Sequence, residues 1–159
     1  MTDGFRLGRL DHMHLVVPDK NTAAQWYEDM LGFERVEAYK HWWDMPGCPI
    51  HISADDGSTS LALFQEGDGH QATPGIGMGV AFVLPGDEFI AFAKALGKSI
   101  QVDGKDGNPL TSRSIVDLDL CFSYGFFDPY DHELELSTYD REVVKNYLAK
   151  EGISAIRYW

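Results

Sequence analysis

The stretch LDHMHLVVPDKNTAAQWYEDMLG, Leu10 to Gly32, decides how the rest of the chain is read. It opens with a short apolar run of strand character that Pro18 and Asp19 break. Asn21 or Thr22 is then placed to cap a helix. Trp26 with Met30, and Tyr27 with Leu31, stand four apart and lay an apolar stripe along that helix. Gly32 follows the last turn, where a left-handed residue ends a helix most cheaply. The unit is strand, loop, helix, Leu-Gly.

The same unit returns 65 residues later, from Leu31-Gly32 to Leu96-Gly97. GVAFVL reads as a strand, Pro85 and Gly86 break it, and Asp87 is placed to cap EFIAFAKAL, whose apolar face is Phe89, Phe92, Ala93 and Leu96. The tails correspond as well. HWWDM, IHISAD and SLALFQ are strand candidates in the first half, and KSIQV, IVDLDLCFSYGFFD and HELELST take those parts in the second. Repeats of this kind set the architecture before any single residue does. The expected fold is α+β: two βαβββ modules forming curved mixed sheets around a cup-shaped site. Module one covers about 10–66, module two about 77–139, and QEGDGHQATPGIG is the hinge between them. DREVVKNYLAKEGI adds a C-terminal helix over about 140–151, with Val143, Val144, Tyr147 and Leu148 as its stripe and Gly152 as its stop. All 159 residues are expected to form one domain.

Charge and composition exclude some functions. A net charge of −12 opposes nucleic-acid binding and attraction to anionic membranes. No stretch approaches the roughly eighteen apolar residues of a membrane span, and MTDGFRLGRL carries no apolar signal region. Two cysteines, Cys48 and Cys121, are far apart and read as small apolar residues in a reducing cytoplasm. No dinucleotide, phosphate-loop, nucleophile-elbow or zinc-protease motif is present.

DHMHLVVPD…AAQWYEDMLGF near the start and FFDPYDHELEL near the end resemble the vicinal oxygen chelate superfamily: glyoxalases, bleomycin and fosfomycin resistance proteins, and extradiol dioxygenases. The resemblance covers nearly the whole chain. It implies a homodimer with its sites at module or subunit interfaces, and metal positions that fall on His12, Ala62, Gly79 and Glu135. Two of the four match by type; Ala62 and Gly79 offer no ligating side chain. On an extended strand His12 and His14 point to one side about 6.6 Å apart, so they can supply two nitrogens to one ion. With Glu135 they make a two-histidine, one-carboxylate set suited to a divalent metal: Fe(II), Mn(II), Ni(II) or Zn(II). His14 then stands in for the ligand lost at Gly79. The other reading makes His12 a hydrogen-bonded relic and His14 a polar pocket wall.

His51 in CPIHISADD reads as a proton-transfer group facing the cup, or as an edge-strand histidine meeting solvent. His70 reads as exposed in the hinge, His132 as structural, and Glu133 as an alternative carboxylate. Extradiol enzymes carry a tyrosine ten residues before the metal glutamate; here that position is Gly125. Tyr124, one residue off, is a second candidate for proton transfer, but strand alternation turns it to the opposite face. Two functions follow. One is a glyoxalase- or dioxygenase-type enzyme whose metal chelates adjacent oxygens of a small organic substrate. The other is a metal-free protein of the bleomycin-resistance sort, stacking a hydrophobic or aromatic ligand on Trp42, Trp43 or Phe64.

Overall fold

The computed structural model describes residues 10–71 and 79–157. The chain divides into two compact units, Met1–Thr73 and Pro74–Trp159, and residues 72–77 of the expected hinge lie outside the described residues. Unit one runs β1 (His12–Val17), α1 (Lys20–Leu31), β2 (Glu34–Arg35), a 3₁₀ turn (Glu37–Trp42), β3 (Ile50–Ser53) and β4 (Ser60–Gln65). Unit two runs β5 (Gly79–Val83), α2 (Gly86–Ala95), β6 (Val116–Asp117), β7 (Phe122–Phe127), β8 (Glu133–Thr138) and α3 (Arg141–Glu151). The architecture is α+β with two repeated modules, and each forms one four-stranded mixed sheet, ordered β1-β4-β3-β2 and β5-β8-β7-β6. In both, the first strand pairs parallel with the last and the other pairs are antiparallel. Among the described residues no helix is long and apolar enough to cross a membrane.

A parallel pair needs a crossover, and α1 supplies it. Asp19, rather than Asn21 or Thr22, caps this helix: its carboxylate accepts the Thr22 amide at 2.7 Å. Gly32 ends it at φ 69°. Ala23, Ala24 and Tyr27 bury against Leu15, Val17, Ile50, Ile52, Leu61 and Leu63, which share one face of the first sheet. Each fully buried large apolar side chain contributes about 1.5–3 kcal/mol. In unit two Phe89, Phe92 and Ala93 of α2, with Val144, Tyr147 and Leu148 of α3, are buried with Phe122, Tyr124, Phe126, Leu134 and Leu136.

Three strand expectations change. HWWDM is not a strand: its first two residues end the 3₁₀ turn, where Tyr39 and Trp42 stack on each other at 5.0 Å. The two-residue β2 takes the strand position next to β3 instead. KSIQV contributes one bridge, Leu96 to Ile100, rather than a strand. IVDLDLCFSYGFFD splits into β6 and β7 at a tight turn, with Asp119 at φ 68° and the Leu118 amide bonded to the Cys121 carbonyl.

Asp87 does not cap α2. The cap comes from Asp140, 54 positions along the chain, whose Oδ2 accepts the Gly86 amide at 2.7 Å. A Cβ on Gly86 would stand 2.8 Å from Asp140 Cβ and 3.0 Å from Val143 Cβ. Gly86→Ala is therefore expected to cost about 1–3 kcal/mol through overpacking, read as a lower midpoint in urea unfolding.

Asp117 is buried, and its two oxygens take Arg141 Nη1 at 2.7 Å and Arg157 Nη2 at 2.6 Å. Hydrogen bonding to Arg141, against the opposing cost of burial and with help from Arg157, holds its carboxyl far below the ordinary carboxylate range. A depressed folded-state pKa stabilises above the unfolded value, about 3.9, and the gain is lost as pH falls toward the folded value. Asp117→Asn should lower stability at pH 7 by about 2 kcal/mol and shrink the difference from the parent below about pH 4, as measured by denaturation across pH.

Candidate functional site

The face of the first sheet turned away from α1 carries His12 and His14 of β1, Ser60, Ala62 and Phe64 of β4, and His51 of β3. Register fixes the rows. His14 and His51 pair with Ala62 from opposite sides, and His12 pairs with Ser60. Ala62 is fully buried beneath the two imidazoles that flank it.

His12 and His14 are brought together. Their rings stack with centroids 5.0 Å apart and their Nε2 atoms are separated by 3.0 Å. His12 Nδ1 lies 2.7 Å from Asp11 Oδ2. A carboxylate there accepts a hydrogen bond from Nδ1–H and leaves the Nε2 lone pair facing His14, which favours one tautomer and one ring direction. The 3.0 Å spacing has a second meaning. Two nitrogens bonded at about 2.1 Å to one ion, at a right angle, stand about 3.0 Å apart. The pair fits a two-nitrogen bite on a divalent metal.

His51 is 3% exposed, because β3 is an interior strand between β4 and β2 and not the edge that a solvent-facing histidine requires. Its Nδ1 lies 2.8 Å from Ser60 Oγ, its ring stacks on Tyr39 at 4.2 Å, and it meets the His12 ring edge-on at 5.2 Å. Trp42 stands tilted 6.0 Å away. Trp43 lies apart, beside Arg35 and Lys40. Phe64 contacts both His14, at 4.7 Å, and His70, at 4.1 Å, so the hinge histidine is half-buried over the same face. Desolvation, then the neighbouring His12 and His70, pull the His14 pKa below its usual value. Burial, then His12, do the same for His51 against an opposing pull from Asp11. Both shifts favour the neutral ring, the form that binds metal or accepts a proton.

In unit two Glu135 is flanked by Ala81 and Gly125 on the adjacent strands, and Ser137 Oγ donates to its Oε1 at 2.6 Å. Gly79 pairs with Glu133, whose carboxylate takes the Lys105 ammonium. Glu135 lines a cavity of about 420 Å³ together with Lys105, Ser123, Gly125 and an apolar wall that includes Leu110, Val116 and Ile156. Tyr124 is fully buried on the opposite face, against the rings of Phe89 and Phe92, and its hydroxyl donates to the Ser112 carbonyl at 3.2 Å. Burial pushes that phenol far above its ordinary pKa. A phenol so placed braces the core and has no path to a substrate proton. His132 is structural: its backbone amide and Nδ1 both meet the Asp128 carboxylate. Among the described residues no group of three or more His, Cys, Asp or Glu is arranged to hold a metal ion.

Asp11, Ser60, Tyr39 and Lys105 escaped the sequence reading. Asp11 and Ser60 were legible in principle, being a carboxylate adjoining the H-x-H pair and a hydroxyl on strand SLALFQ. Tyr39 and Lys105 reach their sites through irregular backbone, which has no periodicity to read.

The family model described as the Glyoxalase/Bleomycin resistance protein/Dioxygenase superfamily matches residues 9–136. The chain belongs to this superfamily. Among solved structures it is similar to oxidase ChaP-H2, at 22% identity and a TM-score of 0.59 over 84% of this chain and 94% of that one. A putative glyoxalase family protein from Bacillus anthracis aligns at 16% identity and a TM-score of 0.57, over 85% and 98% of the two chains. The fosfomycin resistance protein FosX from Mesorhizobium loti aligns at 20% identity and 0.55, over 84% and 93%. No curated protein matches the sequence. At these identities the likeness establishes the fold, and the superfamily fold hosts several chemistries.

Tyr124→Phe is expected to lower stability by about 1 kcal/mol, for one buried hydrogen bond, and to leave metal content unchanged. Calorimetry and elemental analysis of the same preparation check both.

Proposed function

We propose that the protein is a cytoplasmic enzyme of glyoxalase or dioxygenase type, using one divalent metal to chelate adjacent oxygens of a small organic substrate. The 3.0 Å separation of His12 Nε2 and His14 Nε2 carries this reading. The residues fit the group: two neighbouring imidazoles, one of them neutral by environment and the other oriented by a carboxylate. Glu135 stands at the family's remaining ligand position and is assigned to the same ion on that pattern.

When bound, the metal supplies a Lewis acid that polarises the substrate's oxygens and steadies the negative charge that develops on them. The chain's own groups do the rest. Asp11 holds the His12 ring in the tautomer that presents Nε2. His51 is anchored through Nδ1 to Ser60; with Nδ1–H as the donor, Nε2 is the proton acceptor. Tyr39, Trp42 and Phe64 line the same region with apolar rings that exclude water and orient a planar substrate. Pairing of two chains into a homodimer belongs to the same reading, and light scattering measures it.

One observation favours a second reading. The described residues group two metal donors and not three, while aromatic rings surround them, as a metal-free binder of an aromatic ligand would require.

Elemental analysis of protein purified without chelator separates the two. The enzyme reading expects near-stoichiometric Fe, Mn, Ni or Zn that disappears in His12→Ala, His14→Ala and Glu135→Ala. Asp11→Ala should weaken metal affinity about 10–100-fold. Protein that takes up none of these ions, even after loading with each, would overturn the enzyme reading in favour of the binder.

A further inference from the structure

Four of the chain's six histidines stand on one face of the unit-one sheet: His12, His14, His51 and His70. His12 and His14 form the nitrogen pair, and His51 is tied to Ser60. His70 reaches the same face by a different route. It lies beyond β4, and a turn carries it back.

That turn is anchored on several sides. Past the end of β4 the parallel ladder runs one residue further, with the Glu66 amide on the Val17 carbonyl at 2.9 Å. The chain then reverses. The Asp68 amide bonds to the Gln65 carbonyl at 3.4 Å, and the Gly67 amide to the His70 carbonyl at 3.0 Å. Gly67 at φ 93° and Gly69 at φ 86° allow the reversal, because side chains disfavour that region. Asp68 Oδ2 also accepts the Gly47 amide at 3.3 Å, which ties the turn to the loop after the 3₁₀ turn. The His70 ring comes to rest on Phe64 at 4.1 Å, and His14 contacts the same phenyl ring at 4.7 Å. The two imidazoles are near enough that a charge on His70 opposes one on His14. Among the described residues neither ring nitrogen of His70 has a hydrogen-bond partner, whereas Nδ1 of His12, of His51 and of His132 each has one.

We infer that His70 is a third nitrogen ligand, which closes on an ion held by His12 and His14. The three rings are neighbours and not a formed ligand set, so closure takes a rotation of the His70 side chain from one staggered well to another while the turn stays in place. The inference rests on the reading above for the His12–His14 pair and uses unit one alone. Three imidazoles are a familiar donor set for a divalent ion that keeps open positions. They suit Zn(II), Ni(II) or Fe(II) better than Mn(II), which prefers oxygen donors. His70 therefore sets which ion is retained as well as how tightly.

Titration of the metal-free full chain with Zn(II) and with Mn(II), with the imidazole nitrogens followed by NMR, tests it. The ring-nitrogen signals of His12, His14 and His70 should move together as Zn(II) is added. His70→Ala should weaken Zn(II) binding at least about tenfold and Mn(II) binding less than about threefold. Thermal unfolding confirms that the variant is folded. A packing role alone would weaken both ions alike, and that result would overturn the proposal. So would His70 signals that stay still while Zn(II) binds, or His70→Ala protein that binds Zn(II) like the parent; both leave the reading of the His12–His14 pair intact. A parent chain that binds neither ion sinks that reading and this inference with it. Zn(II) binding that survives Glu135→Ala and is weakened in His70→Ala would uphold the unit-one site where the carboxylate assignment fails.

Discussion

Parallel pairing of each module's first strand with its last is the constraint on which the rest depends. A tight hairpin cannot close such a pair, so a helix must cross over. In crossing, the helix covers one face of the sheet and not the other. Strand alternation then sorts the residues: Leu15, Val17, Leu61 and Leu63 go under α1, and His12, His14, Ser60 and Ala62 go to the uncovered face. The pairing also joins residues distant in sequence, such as His12 with Ser60 and Ala81 with Glu135. One hydrogen-bonding pattern, used twice, produces both the core and the surface on which chemistry is possible.

Ala62 and Gly79 occupy positions where the resemblance expects donors. At Ala62 a methyl group stands between His14 and His51 on the flanking strands. His12 and His14 lie on one strand, two residues apart. Such a pair costs little backbone adjustment, because alternation already points both side chains the same way. Its orientation comes from Asp11, directly beside it in sequence.

The sequence made the modules, the helices and the shared face of His12 and His14 legible, because each rests on a local period or a terminating glycine. Tyr124 was legible on the same ground: alternation along FSYGFF puts it with Phe122 and Phe126 in the core. HWWDM misled because its aromatic residues suit a strand as well as the 3₁₀ turn they end. Burial of His51 was hidden because nothing local distinguishes an interior strand from an edge strand; that depends on where the two-residue β2 pairs. Lys105 was hidden for another reason. Its position follows from a loop turn and from an absent side chain on a different strand, and neither leaves a pattern.

Asp140 reaches from the start of α3 to the first amide of α2, where Gly86 lets the two helices touch. The helical layer of unit two is therefore a single mechanical piece. Fraying at the start of α2 strips a carboxylate of its partner beside α3, and loosening α3 uncovers the first turn of α2. Local opening of either helix carries the cost of disturbing both, so this layer resists gradual melting and yields as a block.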